Sequence, residues 1–243
     1  MGSRLVESTA RRGSTPTSIR CHAPAMRKLT FFFDYISPYA YLAWTQIHAL
    51  AARHDVVVEP VPILFAVLLD ANGQKGPAEI ESKRLYTFKE VFRTAHRLGV
   101  PLAPPASHPF NPLLALRVSS ADLNPSDQRA LIDALYLATW GKSLDVTDAA
   151  TVAKIASGVG LDGRKLVAWT ASPEAKERVK QRTAEALALG VFGVPSMLVE
   201  GEVFWGFDSF DDVERRLRGE DPVTPAALEP WTKVTPSARR PGA

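Results

Sequence analysis

Residues 31–41 read FFFDYISPYAY, and within them a β-strand gives way to an α-helix. The aromatic run before Asp34 is typical of a buried strand. Pro38 suits the first turn of a helix, where a backbone N–H would have no partner, and Ser37 before it is a favoured N-cap. The stretch therefore predicts a strand that ends at residue 33, a helix that begins at residue 38, and one hydroxyl group at their junction.

The periodicity on the C-terminal side extends this unit to a βαβ arrangement. LTFFF (29–33) and VVVEPVPI (56–63) have the composition of strands, and residues 38–54 between them have helical periodicity. Two strands joined by a helical crossover pair in parallel. We therefore expect a parallel pair at the start of the chain.

A second strand region lies near the other end. Residues 196–206 predict a β-hairpin that turns at Gly201, and the helix after it, 208–219, begins with acids and ends with arginines. The long segment between the two strand regions has helical patterns. These patterns span residues 83–99, 113–121, 125–141, 148–160 and 173–190.

The order of elements is therefore βαβ, a helical block, then ββα. Neither outer part can bury its sheet alone, so we expect one mixed sheet with helices on both sides. This order resembles an α/β thioredoxin-like fold with a large all-helical insertion. The predicted division gives residues 28–63 and 190–218 to the thioredoxin-like domain, 64–189 to the insertion, 1–27 to a disordered basic tail, and 219–243 to an extended, Pro-rich C-terminal arm.

The charge of the chain is concentrated at its start. The first 27 residues hold five arginines and one acid, which leaves 24 basic and 25 acidic residues elsewhere, so the net charge of +3 comes from this tail. The tail resembles an organellar transit segment, but a disordered extension, or a translation start at Met26, is the favoured interpretation. The body has no basic field of the kind that binds nucleic acid.

The composition, 46% hydrophobic and 23% charged, is that of a globular protein. VPILFAVLL at 61–69 is too short to span a bilayer, which needs about 20 residues, so a soluble protein with no membrane partner is expected. Cys21 is the only cysteine, which excludes an intrachain disulfide and fits a reducing, cytoplasmic compartment. The five histidines are scattered, so no metal site is expected.

SPYA (37–40) stands where thioredoxin-like proteins usually carry a redox CxxC motif, so thiol–disulfide exchange is excluded. The N-terminus of a helix favours negative charge, and a hydroxyl beside it can hold a thiolate that another molecule supplies. The alternative is that Ser37 only caps the helix. Both readings are compatible with the local sequence.

Val194-Pro195 lies just before the predicted hairpin. A thioredoxin-like fold has a cis-proline there, which turns the backbone of the preceding residue outward as a clamp for an extended, peptide-like ligand. The alternative is an ordinary trans-proline that starts a strand.

Three stretches together resemble one family: DYISPYAYLA, GVPLAPPASHPFNP and GVFGVPSMLVEGEVFWGFD. In this order and spacing they are similar to 2-hydroxychromene-2-carboxylate isomerases, relatives of the kappa-class glutathione transferases within the thioredoxin superfamily. The resemblance covers about residues 28–218. It implies an enzyme that binds glutathione as its cofactor, in place of the missing cysteine.

The resemblance also implies a role for particular residues. Ser37 would be the catalytic residue that holds the glutathione thiolate. Val194 and Pro195 would pair with the tripeptide backbone, and Lys75 would reach its glycine carboxylate. The γ-glutamyl end would lie at Trp205, Gly206, Phe207 and Asp208, with Asp208 on the ammonium group and Phe207 where a serine is usual. Asn111 would contact the substrate.

Some of these residues have a plainer interpretation. Lys75 suits a solvated loop, Asn111 before a proline suits a turn, and Asp208 or Ser209 suits a helix cap. Asp34 and Tyr35 can simply end the strand, and the tryptophans fit a core or a pocket wall.

The implied reaction is a cis–trans isomerisation coupled to ring opening of a chromene carboxylate, as in naphthalene degradation and other aromatic catabolism. A kappa-type glutathione transferase or peroxidase is the second hypothesis, and a non-catalytic thioredoxin-fold binding protein is the third. The expected partner is a small-molecule substrate, and the family resemblance implies a homodimer.

Overall fold

The computed structural model describes residues 1–2 and 27–238, and its centre is a four-stranded sheet. The strands are β1 (Arg27–Phe33), β2 (Val56–Pro62), β3 (Ser196–Val199) and β4 (Glu202–Trp205). Their order is β2-β1-β3-β4, with β2 parallel to β1 and the other two pairs antiparallel. The predicted mixed sheet of a thioredoxin-like α/β fold is therefore confirmed.

Ten α-helices surround the sheet in the part of the chain that the structure describes. They are α1 (Pro38–Arg53), α2 (Phe65–Ala71), α3 (Glu81–Leu98), α4 (Leu113–Ser119), α5 (Pro125–Tyr136), α6 (Ala149–Gly158), α7 (Gly163–Trp169), α8 (Pro173–Ala188), α9 (Phe210–Leu217) and α10 (Pro225–Thr232). A π-helical segment (Leu137–Gly141) continues α5, and short 3-10 turns lie at Pro77–Glu79 and Phe207–Ser209.

The alternation of side chains along β1 separates two hydrophobic cores. Leu29, Phe31 and Phe33 point to one face, because neighbouring residues of a strand project to opposite sides. They pack with α1, with helices of the insertion and with α9. Phe32 points to the other face, in a smaller cluster that includes Leu68 of α2. The central strand is therefore covered on both sides, as its uninterrupted apolar sequence requires.

The sequence analysis missed two helices and was wrong about the C-terminal arm. Residues 65–71 and 163–169 form the helices α2 and α7, which were not predicted. The arm predicted to be extended contains α10, which begins at Pro225 behind the N-cap Thr224.

The buried face of α3 also differs from the apolar face in its sequence. Leu85 and Phe92 are 57% and 66% exposed, whereas Val91 and Thr94 are buried. The helix is therefore rotated toward Val91 and Thr94, while Phe88, Ala95 and Leu98 of its apolar face still pack in or against the larger core.

The division into domains at residues 63/64 and 189/190 remains a prediction. The tail prediction falls on residues 3–26, outside the described residues, and Arg27 already belongs to β1. None of the helices in the described ranges is long and apolar enough to cross a membrane.

A buried tyrosine–serine pair provides a test of the packing between strand and insertion. The Tyr35 hydroxyl lies 2.6 Å from Ser119 Oγ of α4, and both residues are fully buried. Ser119→Ala should lower the free energy of unfolding by about 1–3 kcal/mol, because it leaves the tyrosine hydroxyl without a partner. Urea denaturation measures this loss.

Adding Tyr35→Phe to Ser119→Ala should cost little more, since both partners are then gone. Ser120→Ala is the matched control, because the hydroxyl of this neighbouring buried serine donates within its own turn, to the carbonyl oxygen of Arg117. If the double variant lost as much free energy of unfolding as the two single variants together, the pairing of Tyr35 with Ser119 would be contradicted.

Candidate functional site

Ser37 occupies the junction that its sequence position predicts. It is the N-cap of α1, and its Oγ accepts a hydrogen bond from the Ala40 N–H at 3.2 Å. The same hydroxyl lies 3.4 Å from the carbonyl oxygen of Val194, to which it donates. Ser37 therefore caps α1, as the plainer interpretation predicts, and it also contacts the loop that contains Val194 and Pro195 (the proline loop). Its role toward a thiolate remains a prediction.

Val194-Pro195 has the predicted cis peptide bond. Val194 is buried beside β3, and among the described residues its N–H has no hydrogen-bond acceptor. The carbonyl oxygen of Pro195 accepts the Gly206 N–H at 2.9 Å. This bond ties the proline loop to the segment after β4, so the structure brings Ser37, Val194, Pro195 and Gly206 together.

Trp205 lies on the exposed side of the group formed by Ser37, Val194, Pro195 and Gly206, which we call the cleft. It is 54% exposed, its ring lies 5.1 Å from that of Phe192, and its indole edge covers Gly193 so closely that no Cβ would fit there. Gly206 has a φ of 95°, in the region that favours glycine, and the Asp208 carboxylate folds back over it. The indole of Trp205 therefore covers Gly193, and the exposed Asp208 carboxylate covers Gly206.

The turn that contains Phe207 packs against α1. The Phe207 ring lies 5.1 Å from Phe210, next to the larger core. The Ser209 hydroxyl donates to the carbonyl oxygen of Gly206 at 2.9 Å, and no side chain caps the start of α9. Neither Asp208 nor Ser209 acts as the side-chain cap that the plainer interpretation required.

Lys75 and Asn111 lie on separate loops. Lys75 is exposed in the loop after α2, and the structure gives it no contact with Ser37 or Asp208. Asn111 is exposed, and its Oδ1 accepts the Leu113 N–H at 3.0 Å, so it stabilises the start of α4. Its loop reaches the cleft through His108, whose Nε2 lies 3.0 Å from the carbonyl oxygen of Ile36.

The turn before Ser37 is held by the helical insertion. The indole N–H of Trp140 donates to the carbonyl oxygen of Tyr35 at 2.8 Å. The Tyr136 hydroxyl donates to the carbonyl oxygen of Asp34 at 3.4 Å, and the Ser37 N–H donates to the same oxygen at 3.1 Å. These bonds give the turn one conformation, because each buried peptide oxygen in it has a partner.

Asp34 is fully buried at the end of β1. Its Oδ1 accepts the Ile36 N–H at 3.1 Å and its Oδ2 accepts the Phe65 N–H at 3.0 Å. Burial raises the pKa of the carboxyl group from 3.8 to about 7, against the opposing effect of these two hydrogen bonds.

His108 is neutral in this environment, because burial lowers the pKa of its imidazole. Its Nε2 carries the proton, since the Ile36 oxygen can only accept. Phe88 and Trp140 pack against its ring at 5.3 Å and 5.5 Å. The neutral imidazole thus joins its own loop to the turn before Ser37 through one hydrogen bond.

Sequence reasoning did not assign roles to Asp34, His108 or Tyr136. An acid directly after an apolar strand and three residues before a Ser-Pro helix start was a usable signal for Asp34. The other two act through partners far away in sequence, which no local pattern shows.

Two cavities lie outside this cleft. One, of about 350 Å³, is bounded by residues of α1, α5 and the loop after α3, and includes Tyr41 and Asp133. The other, of about 340 Å³, includes Trp169 and Arg178. None of the predicted site residues lines either cavity. The candidate site is the group of residues at the start of α1, where Ser37 contacts Val194 and Pro195 is bonded to Gly206.

Comparison with known proteins agrees with the fold. Residues 28–218 match the DSBA-like thioredoxin domain. The chain is 31% identical over 193 residues to a 2-hydroxychromene-2-carboxylate isomerase from Sphingobium xenophagum, with 79% of this chain and 98% of that protein covered. It is 25% identical over 221 residues to glutathione S-transferase kappa 1 from Homo sapiens, with 84% and 97% covered.

Among solved structures, that of a selenomethionine 2-hydroxychromene-2-carboxylate isomerase superposes with a TM-score of 0.74 at 23% identity, covering 86% of this chain and 100% of that chain. The chain therefore belongs to the DSBA-like thioredoxin family, in the branch of the 2-hydroxychromene-2-carboxylate isomerases.

The buried carboxyl group of Asp34 should make stability depend on pH. Between about pH 4 and pH 7 the folded protein keeps this proton and the unfolded chain has released it. The free energy of unfolding therefore falls as pH rises, by about 1.4 kcal/mol per pH unit and about 4 kcal/mol in all from this group. The stability of Asp34→Asn relative to that of the wild type should therefore increase as pH rises through this window.

The measurement is urea denaturation at a series of pH values, compared between variant and wild type. The comparison is needed because burial lowers the pKa of His48 to about 4, which works in the opposite direction in the wild type. Thr183→Val, which removes a non-titrating partner of the Leu64 N–H, is the control and should shift stability equally at every pH. A constant difference for Asp34→Asn would contradict the assignment.

Proposed function

We propose that this protein is a glutathione-dependent isomerase of an aromatic substrate of the 2-hydroxychromene-2-carboxylate type. The observation that carries the proposal is the position of the Ser37 hydroxyl, at the N-terminus of α1 and 3.4 Å from the carbonyl oxygen of Val194. The relative from Sphingobium xenophagum, which is named for that reaction, supports the choice of substrate class. A homodimer and a cytoplasmic location remain predictions.

The residues at this point are sufficient to activate a thiol. An unperturbed thiol has a pKa of about 8.5, and lowering it by about two units requires about 2.7 kcal/mol. A hydrogen bond from a hydroxyl to the thiolate contributes about 1.5–3 kcal/mol, and the N-terminus of a helix about 0.3–1 kcal/mol. In this proposal the Ser37 hydroxyl turns its one proton from the carbonyl oxygen of Val194 to the thiolate of glutathione, which leaves that carbonyl oxygen free for the tripeptide backbone. Ser37 is not itself the nucleophile.

The tripeptide would lie along the proline loop. Val194 offers its N–H and carbonyl oxygen, the pair of backbone groups that an extended peptide uses. Asp208 would bind the ammonium group of the γ-glutamyl end, beside Trp205 and Gly206. Because Phe207 stands where a serine is usual, the γ-glutamyl carboxylate would rely on backbone N–H groups at this turn.

The glycine carboxylate would meet Lys75. The side chain of this lysine is exposed, and its flexible four-carbon chain could turn toward a carboxylate. Asn111 would face the substrate from the loop that His108 joins to Ile36.

The chemistry is a reversible addition. Ring opening of the hemiketal would come first: its C2–O ring bond breaks, C2 becomes a ketone and the hydroxyl proton passes to the phenol oxygen. Bound glutathione would then supply a thiolate for reversible addition to the conjugated ketone, which turns the former double bond into a single bond that can rotate. Ser37 would stabilise the sulfur before the addition and again after the C–S bond breaks. Glutathione is released unchanged, so the reaction needs no oxidant or reductant.

A kappa-type transferase is the second candidate, and the similarity to glutathione S-transferase kappa 1 favours it. There the same thiolate would attack an electrophile and remain bonded to it. A binding protein without chemistry is the third candidate. Consumption of glutathione separates the first two, and turnover separates both from the third.

The proposed reaction should consume substrate over many turnovers while the concentration of reduced glutathione stays constant. Absorbance follows 2-hydroxychromene-2-carboxylate, and a thiol assay follows glutathione. S-methylglutathione is the control, because it fits the same groups but has no thiol and should support binding without turnover. Stoichiometric loss of glutathione would identify a transferase, and absence of glutathione binding would remove both enzyme hypotheses.

Ser37→Ala should raise the pKa of the bound glutathione thiol by about one to two units, because it removes the hydroxyl that stabilises the thiolate. Ultraviolet absorbance of the thiolate against pH measures this shift. Ser37→Ala also removes the cap of α1, at a cost of about 1 kcal/mol of stability.

Ser172→Ala is a matched control for the loss of the cap. Ser172 precedes Pro173 at the start of α8, which has 16 residues like α1, and its Oγ accepts the Ala175 N–H at 3.1 Å. This variant should lose similar stability and leave the thiol pKa unchanged. An unchanged thiol pKa in Ser37→Ala would refute the role given to the serine.

A further inference from the structure

The N–H groups at the start of helix α2 donate hydrogen bonds to side chains of other elements. Its N-cap Leu64 has no side chain that can accept a hydrogen bond, and the first N–H groups of a helix have no partner within it. The Leu64 N–H donates to Thr183 Oγ1 of α8 at 3.0 Å, and the Phe65 N–H donates to Asp34 Oδ2 at 3.0 Å. The start of α2 is therefore fixed by residues from α8 and from the end of β1.

The other half of the Asp34 carboxylate belongs to the turn that carries Ser37. Oδ1 accepts the Ile36 N–H at 3.1 Å, one peptide before the serine. Asp34 is fully buried, so no bulk water can replace either acceptor. One rigid carboxylate thus joins the start of α1 to the start of α2.

The far end of α2 leads directly to Lys75. The Gln74 N–H donates to the carbonyl oxygen of Leu69 at 2.9 Å, and the Gly76 N–H donates to Glu79 Oε1 at 2.6 Å. The loop with Lys75 is therefore fastened to the last turn of α2 and to the 3-10 turn that follows. Where α2 sits determines where this lysine can reach.

We infer that Asp34 is a positioning residue that holds the Ser37 turn and the α2–Lys75 segment at a fixed separation, so that one rigid unit binds both the thiol and the glycine carboxylate of a tripeptide. The inference rests on the proposed function only in naming glutathione as the tripeptide. The link between the two segments is a property of the free protein and can be measured without any ligand.

Asp34→Ser separates the two halves of the link. A serine hydroxyl can still accept the Ile36 N–H, as serines in such turns do, but it is too short to reach the Phe65 N–H as well. Hydrogen exchange in residues 64–71 should accelerate at least tenfold, while exchange in residues 35–42 stays as in the wild type. Asp34→Asn, which has one acceptor oxygen instead of two, should accelerate exchange in at least one of the two segments.

Asp162→Ala is the matched control, because Asp162 caps α7, which has seven residues like α2. Its effect on exchange should be confined to residues 163–169. Equal acceleration in every segment of Asp34→Ser, or none in residues 64–71, would overturn the inference.

Calorimetric titration with reduced glutathione gives a second readout. Lys75→Met should weaken binding about two- to fivefold in the wild type, as for loss of an exposed ion pair. In the Asp34→Ser background it should have no further effect, because the lysine is no longer held in reach. Additive losses would overturn the inference, whereas a wild type that binds no glutathione would refute the proposed function and leave the exchange result standing.

Discussion

The turn between β1 and α1 is the constraint on which the rest of the structure depends. Its peptide groups are buried, and an unpaired buried peptide group costs free energy comparable to a lost hydrogen bond. The carbonyl oxygen of Asp34 accepts hydrogen bonds from the Ser37 N–H and the Tyr136 hydroxyl. The carbonyl oxygen of Tyr35 accepts one from Trp140, and that of Ile36 accepts one from His108. These hydrogen bonds therefore fix the position of the Ser37 hydroxyl at the start of α1, where it contacts the carbonyl oxygen of Val194 in the proline loop.

The partners of this turn make the helical insertion part of the site. Tyr136 and Trp140 come from α5 and its π-helical continuation, and Ser119 of α4 pairs with Tyr35. The insertion shares the larger hydrophobic core with the sheet, so it cannot shift without disturbing β1. On the other face, α2 and α8 close the smaller core around Phe32. The two layers meet at Asp34, whose carboxylate bonds to both α2 and the turn.

Local chemistry was enough to predict the order of strands and helices and the start of α1, because an apolar run and a Ser-Pro helix start are short-range causes. The cis-proline was predicted from the thioredoxin-like order of elements, since the local sequence also suits a trans-proline. The helix α2 could not be predicted, because its first N–H groups are satisfied by Thr183 and Asp34, distant in sequence. His108 was missed for the same reason: it acts on a residue 72 positions away. The rotation of α3 followed from packing rather than from its own pattern. For the site, the sequence identified the groups that meet at Val194, but not the ones that hold Ser37 in place.

A serine at this position also changes what oxidants can do to the protein. A cysteine there would be open to conversion to sulfinic and sulfonic acids, which are largely irreversible, whereas an alcohol oxygen has no such series of states. The protein thus keeps the geometry of a redox fold while its own chain offers peroxides no sulfur at the tip of α1. With glutathione as the proposed source of the thiol, oxidation would damage a diffusible molecule that can be exchanged for a fresh one.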